Sequence, residues 1–187
     1  PQAMPPTVRE YQQFAGKALQ GFAVLAIAYI VSQFFRVSNA VIAPELMADL
    51  AISPTQFGAV TGVFFLTFAV MQIPTGILLD RFGPRATMSG LLILAVAGAF
   101  LFAGATSTTE LFTARALIGV GCAAGLMGSM VAIARWFPAE KFAAMSSWLF
   151  IIGGIGTLLA TSPLAALMHH TGWRGAFVLM AGATLIM

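Results

Sequence analysis

Arg36 is the residue of this sequence with the plainest chemical purpose. It stands in a run of Tyr29, Ser32, Gln33, Arg36 and Asn39, whose offsets of three and four set them along one helical stripe. Lys17 lies 19 residues earlier, about 28 Å of helix at ~1.5 Å per residue, which puts Arg36 deep inside an apolar stretch, in its far half. An arginine near the centre of a bilayer costs about 2.5–3.5 kcal/mol, so it has to face protein, water or an anion. Its planar fork suits bidentate recognition of a carboxylate or phosphate. Two readings follow. In one, Arg36 lines a cavity with Tyr29, Gln33 and Asn39 and binds an anionic solute. In the other, it snorkels outward to pair with Glu45 or Asp49. Arg115 shares a helical face with Gly119, Cys122 and Ser129. It is either a second cationic residue at the cavity's outer end or the ion-pair partner of Glu110. Thr61, Gln72 and Thr75 are weaker cavity candidates, since buried threonines in membrane helices often bond their own backbone.

A second charged group reads Gly76-Ile-Leu-Leu-Asp80-Arg81-Phe-Gly83-Pro-Arg85. Gly76 and Gly83 permit close helix approach and a tight turn. Asp80 can accept hydrogen bonds from a helix N-terminus or pair with Arg81 or Arg85, closing one face of the molecule until the cluster breaks. The plainer role for Arg81 and Arg85 is to anchor topology. Enzyme chemistry lacks material: there is no intramembrane carboxylate pair, no clustered histidine and no nucleophile beside a base, so no enzyme activity, cofactor or metal is expected. His169 and His170 are adjacent and diverge, and the glycines of Gly153-Gly154-x-Gly156 lack the Lys-Ser/Thr of a phosphate loop. With Gly121-x-x-x-Gly125, they serve close helix packing.

Composition names the elements that carry these residues. The 187 residues are 59% hydrophobic and 8% charged, with mean hydropathy +0.94. A water-soluble surface needs about 25% charged residues, so this is a polytopic membrane protein and its net charge of +3 says nothing of nucleic acid. Cys122 is the single cysteine, which excludes an internal disulfide. Charges divide the chain into uncharged runs of 18, 30, 24, 19 and 32 residues, with 13 after Arg174. About 20 residues cross the hydrocarbon core, and the runs predict helices at roughly 18–43, 55–79, 85–105, 111–135, 141–168 and from 173 onward. Turns are expected at Ala43-Pro44, Ser53-Pro54, Gly83-Pro84, Thr106–Thr109, Phe137-Pro138 and Thr171-Gly172. Residues 1–16 read as a cytoplasmic lead-in and 17–187 as a six-helix domain with its last helix cut short. With alternating spans, Arg9, Lys17, Arg81, Arg85, Arg135 and Lys141 share one side and Arg174 alone is opposite, so the N-terminus is expected to be cytoplasmic. Trp136, Trp148 and Trp173 suit interface belts.

Pro74, Leu78, Gly83 and Arg85 recur as Pro163, Leu167, Gly172 and Arg174, each 89 residues on. The first set joins helices 2 and 3 on one side, the second joins helices 5 and 6 on the other. Inverted three-helix repeats of this kind build secondary transporters.

The Gly76–Arg85 loop resembles the G-x-x-x-D-R-x-G-x-R loop between helices 2 and 3 of the major facilitator superfamily. Arg115-Ala-Leu-Ile-Gly119, Ala134-Arg135-Trp136-Phe137-Pro138 and Gly172-Trp173-Arg174 are similar to further segments of that family, in the same order. The resemblance runs from about residue 20 to the end. It implies an all-α fold, the N-terminal six-helix half of a twelve-helix transporter, whose C-terminal half is a partner and whose other partners are a small-molecule substrate and the bilayer. Phe35-Arg36-Val-Ser-Asn39 with Ala43-Pro44 looks like the organic anion transporters of the family, which carry Asp-Arg in helix 1 with the arginine at the substrate site. Phe35 stands where the acid is usual, and Cys122 where many members have glutamate. Both acids are associated with proton coupling, so their absence puts proton symport through this half in doubt. The drug/proton antiporter pattern of helix 5 is missing. A solute transporter working by alternating access in a bacterial inner membrane, carrying an organic or inorganic anion, is the expectation. Neutral-solute or efflux transport, or a non-transporting six-helix assembly protein, stands as the alternative.

Overall fold

The computed structural model describes residues 8–186, with side chains from residue 19 onward. The lead-in's residues 1–7 and the side chains of Arg9 and Lys17 lie outside the described residues. All the elements are helices: α1 (Val8–Asp49), α2 (Pro54–Val70), α3 (Gln72–Gly104), α4 (Thr108–Cys122), α5 (Ala124–Trp136), α6 (Ala139–Leu159) and α7 (Ser162–Ile186). Four stretches are long and apolar enough to cross a membrane: Leu19–Asp49, Gln72–Gly104, Thr108–Trp136 and Ala139–Ile186. Pro54–Val70 is a shorter apolar helix.

Two glycines divide this run into six spans. Gly83 has φ 77° and ψ 170°, Gly172 has φ 66° and ψ 173°, and each interrupts an otherwise helical element. Only glycine takes this conformation without strain. The spans are therefore 19–49, 54–82, 84–104, 108–136, 139–171 and 173–186. The repeat expected from sequence appears in the backbone as well. Met71 in span 2 and Ala160 in span 5, again 89 residues apart, have ψ raised to −9° and 4°, which bends each helix. Each bend stands three residues before a proline, Pro74 or Pro163, which removes an N–H and crowds the preceding turn.

Some expected boundaries shift. No turn forms at Ala43-Pro44: α1 continues through Pro44 to Asp49, and the chain turns at Ala51, which has φ 49°. Spans 2 and 5 bend at Met71 and Ala160, while span 4 runs from Thr108 to Trp136 through Ala123, whose φ −61° and ψ −33° are helical. Ser53 and Ser107 cap the next helices, Ser53 through a reciprocal capping box with Gln56. The stretch Gly83-Pro84 turns as expected, and Phe137 ends α5 in an extended conformation just before Pro138.

Packing is densest between α3 and α4, α2 and α4, α1 and α6, and α3 and α7. Gly121 and Gly156 explain two of these approaches, because a Cβ would collide with the Ala95 backbone at the first and the Ile30 carbonyl at the second. The main core is aromatic, built around Phe35, Phe64, Phe102, Trp173 and Phe177. Smaller clusters centre on Phe22, Tyr29 and Leu149, and on Leu25, Met88 and Leu91.

Candidate functional site

Span 1 turns Arg36 toward α2. The guanidinium carbon lies 4.7 Å from the centroid of the Phe68 ring, and the side chain is half-buried. Its Nε is shielded from solvent and has no partner among the described residues. One turn along on either side, Gln33 Oε1 and Asn39 Oδ1 are likewise enclosed without a donor. Asn39 uses its Nδ2 to donate to Thr61 Oγ1 of α2, while Thr61 donates to the Phe57 carbonyl as expected of a membrane threonine. Gln33, Arg36 and Asn39 thus form one cationic centre flanked by two free acceptors. Neither Glu45 nor Asp49 pairs with Arg36, and Asp49 is engaged by Arg174 instead.

Tyr29 does not join this group. It is buried against span 5, where a Cβ on Gly153 would strike its ring, and it meets Phe150 edge-on at 6.4 Å. Ser32 faces span 4 and donates to the Cys122 carbonyl at 3.3 Å. Gln72 donates to its own helix at Phe68, and Thr75 is wholly buried.

Arg115 occupies a different environment. It has 0% exposure and sits between the Phe64 and Phe102 rings, 5.3 and 5.5 Å from their centroids. Its Nη1 donates to the carbonyl of Phe35 at 3.1 Å, while Nε and Nη2 find no partner among the described residues. The expected Glu110 pair does not form, because Glu110 turns back to accept from the backbone N–H and hydroxyl of Thr106. Nor does Arg115 open on a cavity's outer end, since the aromatic core encloses it. Phe35 is itself fully buried in that core and packs on Phe34 and Phe177.

At the turn between spans 2 and 3, Asp80, Arg81 and Arg85 are exposed, and the expected Asp80 pair with Arg81 or Arg85 is not made. Arg81 lies instead over the neighbouring Phe82 ring at 5.3 Å. Arg135 of span 4 comes within 3.7 Å of where a Gly83 Cβ would stand. Gly76 has open space beside it, so close approach there involves no helix among the described residues.

The ion pair found among the described residues was not anticipated. Arg174 binds Asp49 and also donates to the Ala105 carbonyl at 2.8 Å, while Trp173 Nε1 donates to Asp49 at 3.2 Å. This tie joins the ends of spans 1 and 3 to the start of span 6. The repeat offered the signal, because Arg174 is the counterpart of Arg85. Among the described residues no three His, Cys, Asp or Glu side chains converge as a metal site would require.

Six apolar spans in two inverted units of three, joined at matched glycine turns, define a multi-pass membrane protein of the transporter-fold class. The sequence profile described as Major Facilitator Superfamily matches residues 25–187. The chain belongs to that family. It is 27% identical over 169 residues to a putative tartrate transporter of Agrobacterium vitis, covering 87% of this chain and 38% of that protein. It is 26% identical over 172 residues to a probable galactarate/D-glucarate transporter of Escherichia coli, again covering 87% and 38%. The hexuronate transporter of Escherichia coli is 29% identical over 170 residues, covering 88% and 38%. The chain therefore spans under two-fifths of the length of these curated relatives.

Proposed function

We propose that this chain is the N-terminal six-span half of a secondary transporter that carries a hydroxylated organic carboxylate by alternating access. The observation that carries the reading is the half-buried Arg36, with an unpartnered Nε, set between two acceptors that lack donors. A carboxylate answers the guanidinium, and hydroxyl groups on the same solute supply the O–H donors that Gln33 and Asn39 call for. A simple alkanoate leaves both acceptors unpaired, and each such loss costs about 1–3 kcal/mol. The printed substrates of the relatives, tartrate, galactarate, glucarate and hexuronate, support the same choice.

Around that centre, Tyr29 braces span 1 against span 5, and Arg115 holds the Phe35 carbonyl so that Arg36 keeps its position. The basic face is cytoplasmic, and the membrane is a bacterial inner membrane, as the bacterial relatives suggest. The loop from Gly76 through Asp80, Arg81 and Gly83 to Arg85 is the inner closure. Asp80, which has no ion pair among the described residues, and the open flank at Gly76 suit contact with the C-terminal half. With Phe35 and Cys122 in place of acids, any proton coupling runs through that other half.

Counterflow in liposomes holding the complete protein tests this. Internal tartrate or glucarate should accelerate uptake of the labelled acid, while glucose and tetraethylammonium should not. Equal acceleration by glucose would overturn the anion reading.

A further inference from the structure

Thr61 of span 2 has one hydroxyl hydrogen, and its own helix uses it. The hydroxyl donates to the Phe57 carbonyl one turn back, at 3.0 Å. Toward any other neighbour Thr61 can therefore only accept. That neighbour is Asn39 of span 1, which is 1% exposed and donates its Nδ2 to the Thr61 oxygen. A primary amide holds its donor and its acceptor on opposite corners. With Nδ2 fixed on Thr61, Oδ1 is turned away from it, and Oδ1 is the atom without a donor among the described residues. Turning the amide over would set Oδ1 against a lone pair of Thr61, or draw the Thr61 hydrogen off Phe57. Oδ1 is shielded from solvent, so bulk water does not stabilise the turned form.

Gln33 is not held in this way. Its Oε1 is also enclosed without a donor, and no side chain among the described residues fixes the amide from its other end. The two amides beside Arg36 thus differ: that of Gln33 can turn to suit a solute, and that of Asn39 cannot.

We propose that Thr61 is a positioning residue that sets solute specificity: it locks Asn39 as an acceptor, so the site selects a hydroxyl over a methylene or an oxo group at that point of the solute. The inference rests on the hydroxy-carboxylate reading above and adds the residue that enforces it. An oxo group offers only lone pairs and a methylene neither donates nor accepts, so each leaves Oδ1 unpaired in an enclosed site. A site built to pair with a hydroxyl rejects the analogue that lacks it. Thr61 acts through Asn39 and not by contact with the solute.

Tartrate and succinate share a carbon chain and both carboxylates and differ only in hydroxyl groups, as do glucarate and adipate. Uptake of each labelled acid into liposomes holding the complete protein gives the ratio of kcat/KM within a pair. Wild type should favour the hydroxylated member. Thr61→Val, close in shape but without the hydroxyl, frees Asn39 to turn. It should cut the ratio about tenfold, the weight of one hydrogen bond, through KM rather than through maximal rate. Thr61→Ser keeps the donor and acceptor pattern and should keep the ratio. Because the readout is a ratio within one protein, a lower yield of folded Thr61→Val does not mimic it, and Thr61→Ala repeats the measurement with less bulk. A wild-type ratio near one, an unchanged ratio in Thr61→Val or an equal fall in Thr61→Ser would overturn the proposal, while uptake of the acids upholds the site reading. A wild type that carries neither pair, or carries glucose equally well, loses the site reading and the proposal together.

Discussion

Arg36 and Arg115 both carry a guanidinium into the apolar interior, and Phe35 connects them: it precedes the first and its carbonyl binds the second. Their surroundings are opposite. Arg115 is sealed between Phe64 and Phe102 with a backbone acceptor, whereas Arg36 lies on one face of Phe68, half-open, with its neighbours' acceptors free. An enclosed cation held by the chain is part of the scaffold. An open one with an unpaired Nε is, in the function proposed above, the group that meets the solute. Exposure and free hydrogen-bonding capacity, rather than charge alone, separate the two roles. Arg174, an exposed arginine tied to Asp49, marks a third case in which the pair fastens helix ends.

The comparison breaks most visibly at Arg115. Arg115→Ala empties the space between two rings and frees the Phe35 carbonyl, so thermal unfolding should show a loss of about 2–4 kcal/mol. A gain in stability would mean that the desolvation cost of the buried charge exceeds what its contacts return, and the scaffold role would fail. Gly119→Ala attacks the same box from outside, because its Cβ would meet the Thr67 hydroxyl and the Phe64 carbonyl. About 1–3 kcal/mol of destabilisation is expected in the same assay, and an unchanged midpoint would show that α2 can move off α4 freely. The smallest effect belongs to the exposed tie. With side chains 39% and 45% exposed, Arg174 and Asp49 should show only a midpoint shift at the edge of detection on Asp49→Asn, smaller still at high salt. A larger loss that persists in salt would place Arg174 with the enclosed arginine.

The spans were legible because charge position and residue count are local properties. Gly83 and Gly172 were legible as turns for the same reason, and their repeat spacing carried the inverted architecture. Helix ends were less so: Pro44 reads as a stop, yet α1 continues through it for another turn. The bends at Met71 and Ala160 fall before prolines that the repeat marks, but an apolar run does not reveal a bend. Least legible were contacts between distant residues. Arg115 and Phe35 lie 80 residues apart, and Arg174 and Asp49 lie 125 apart. Sequence proximity offers Glu110 as one of two roles for Arg115, but capping of the Thr106 turn engages that carboxylate.

The role of Arg36 is most directly measured by ligand-dependent thermal shift on the complete protein, with tartrate, glucarate, acetate and glucose on wild type, Arg36→Gln and Arg115→Lys. At a hundred times the dissociation constant a bound hydroxy acid stabilises by about 2.7 kcal/mol. Wild type should show that shift with hydroxy acids, Arg36→Gln should lose it with the unliganded midpoint kept, and Arg115→Lys should retain it from a lower starting midpoint. An equal shift in Arg36→Gln, or a response to glucose in all three proteins, would contradict it.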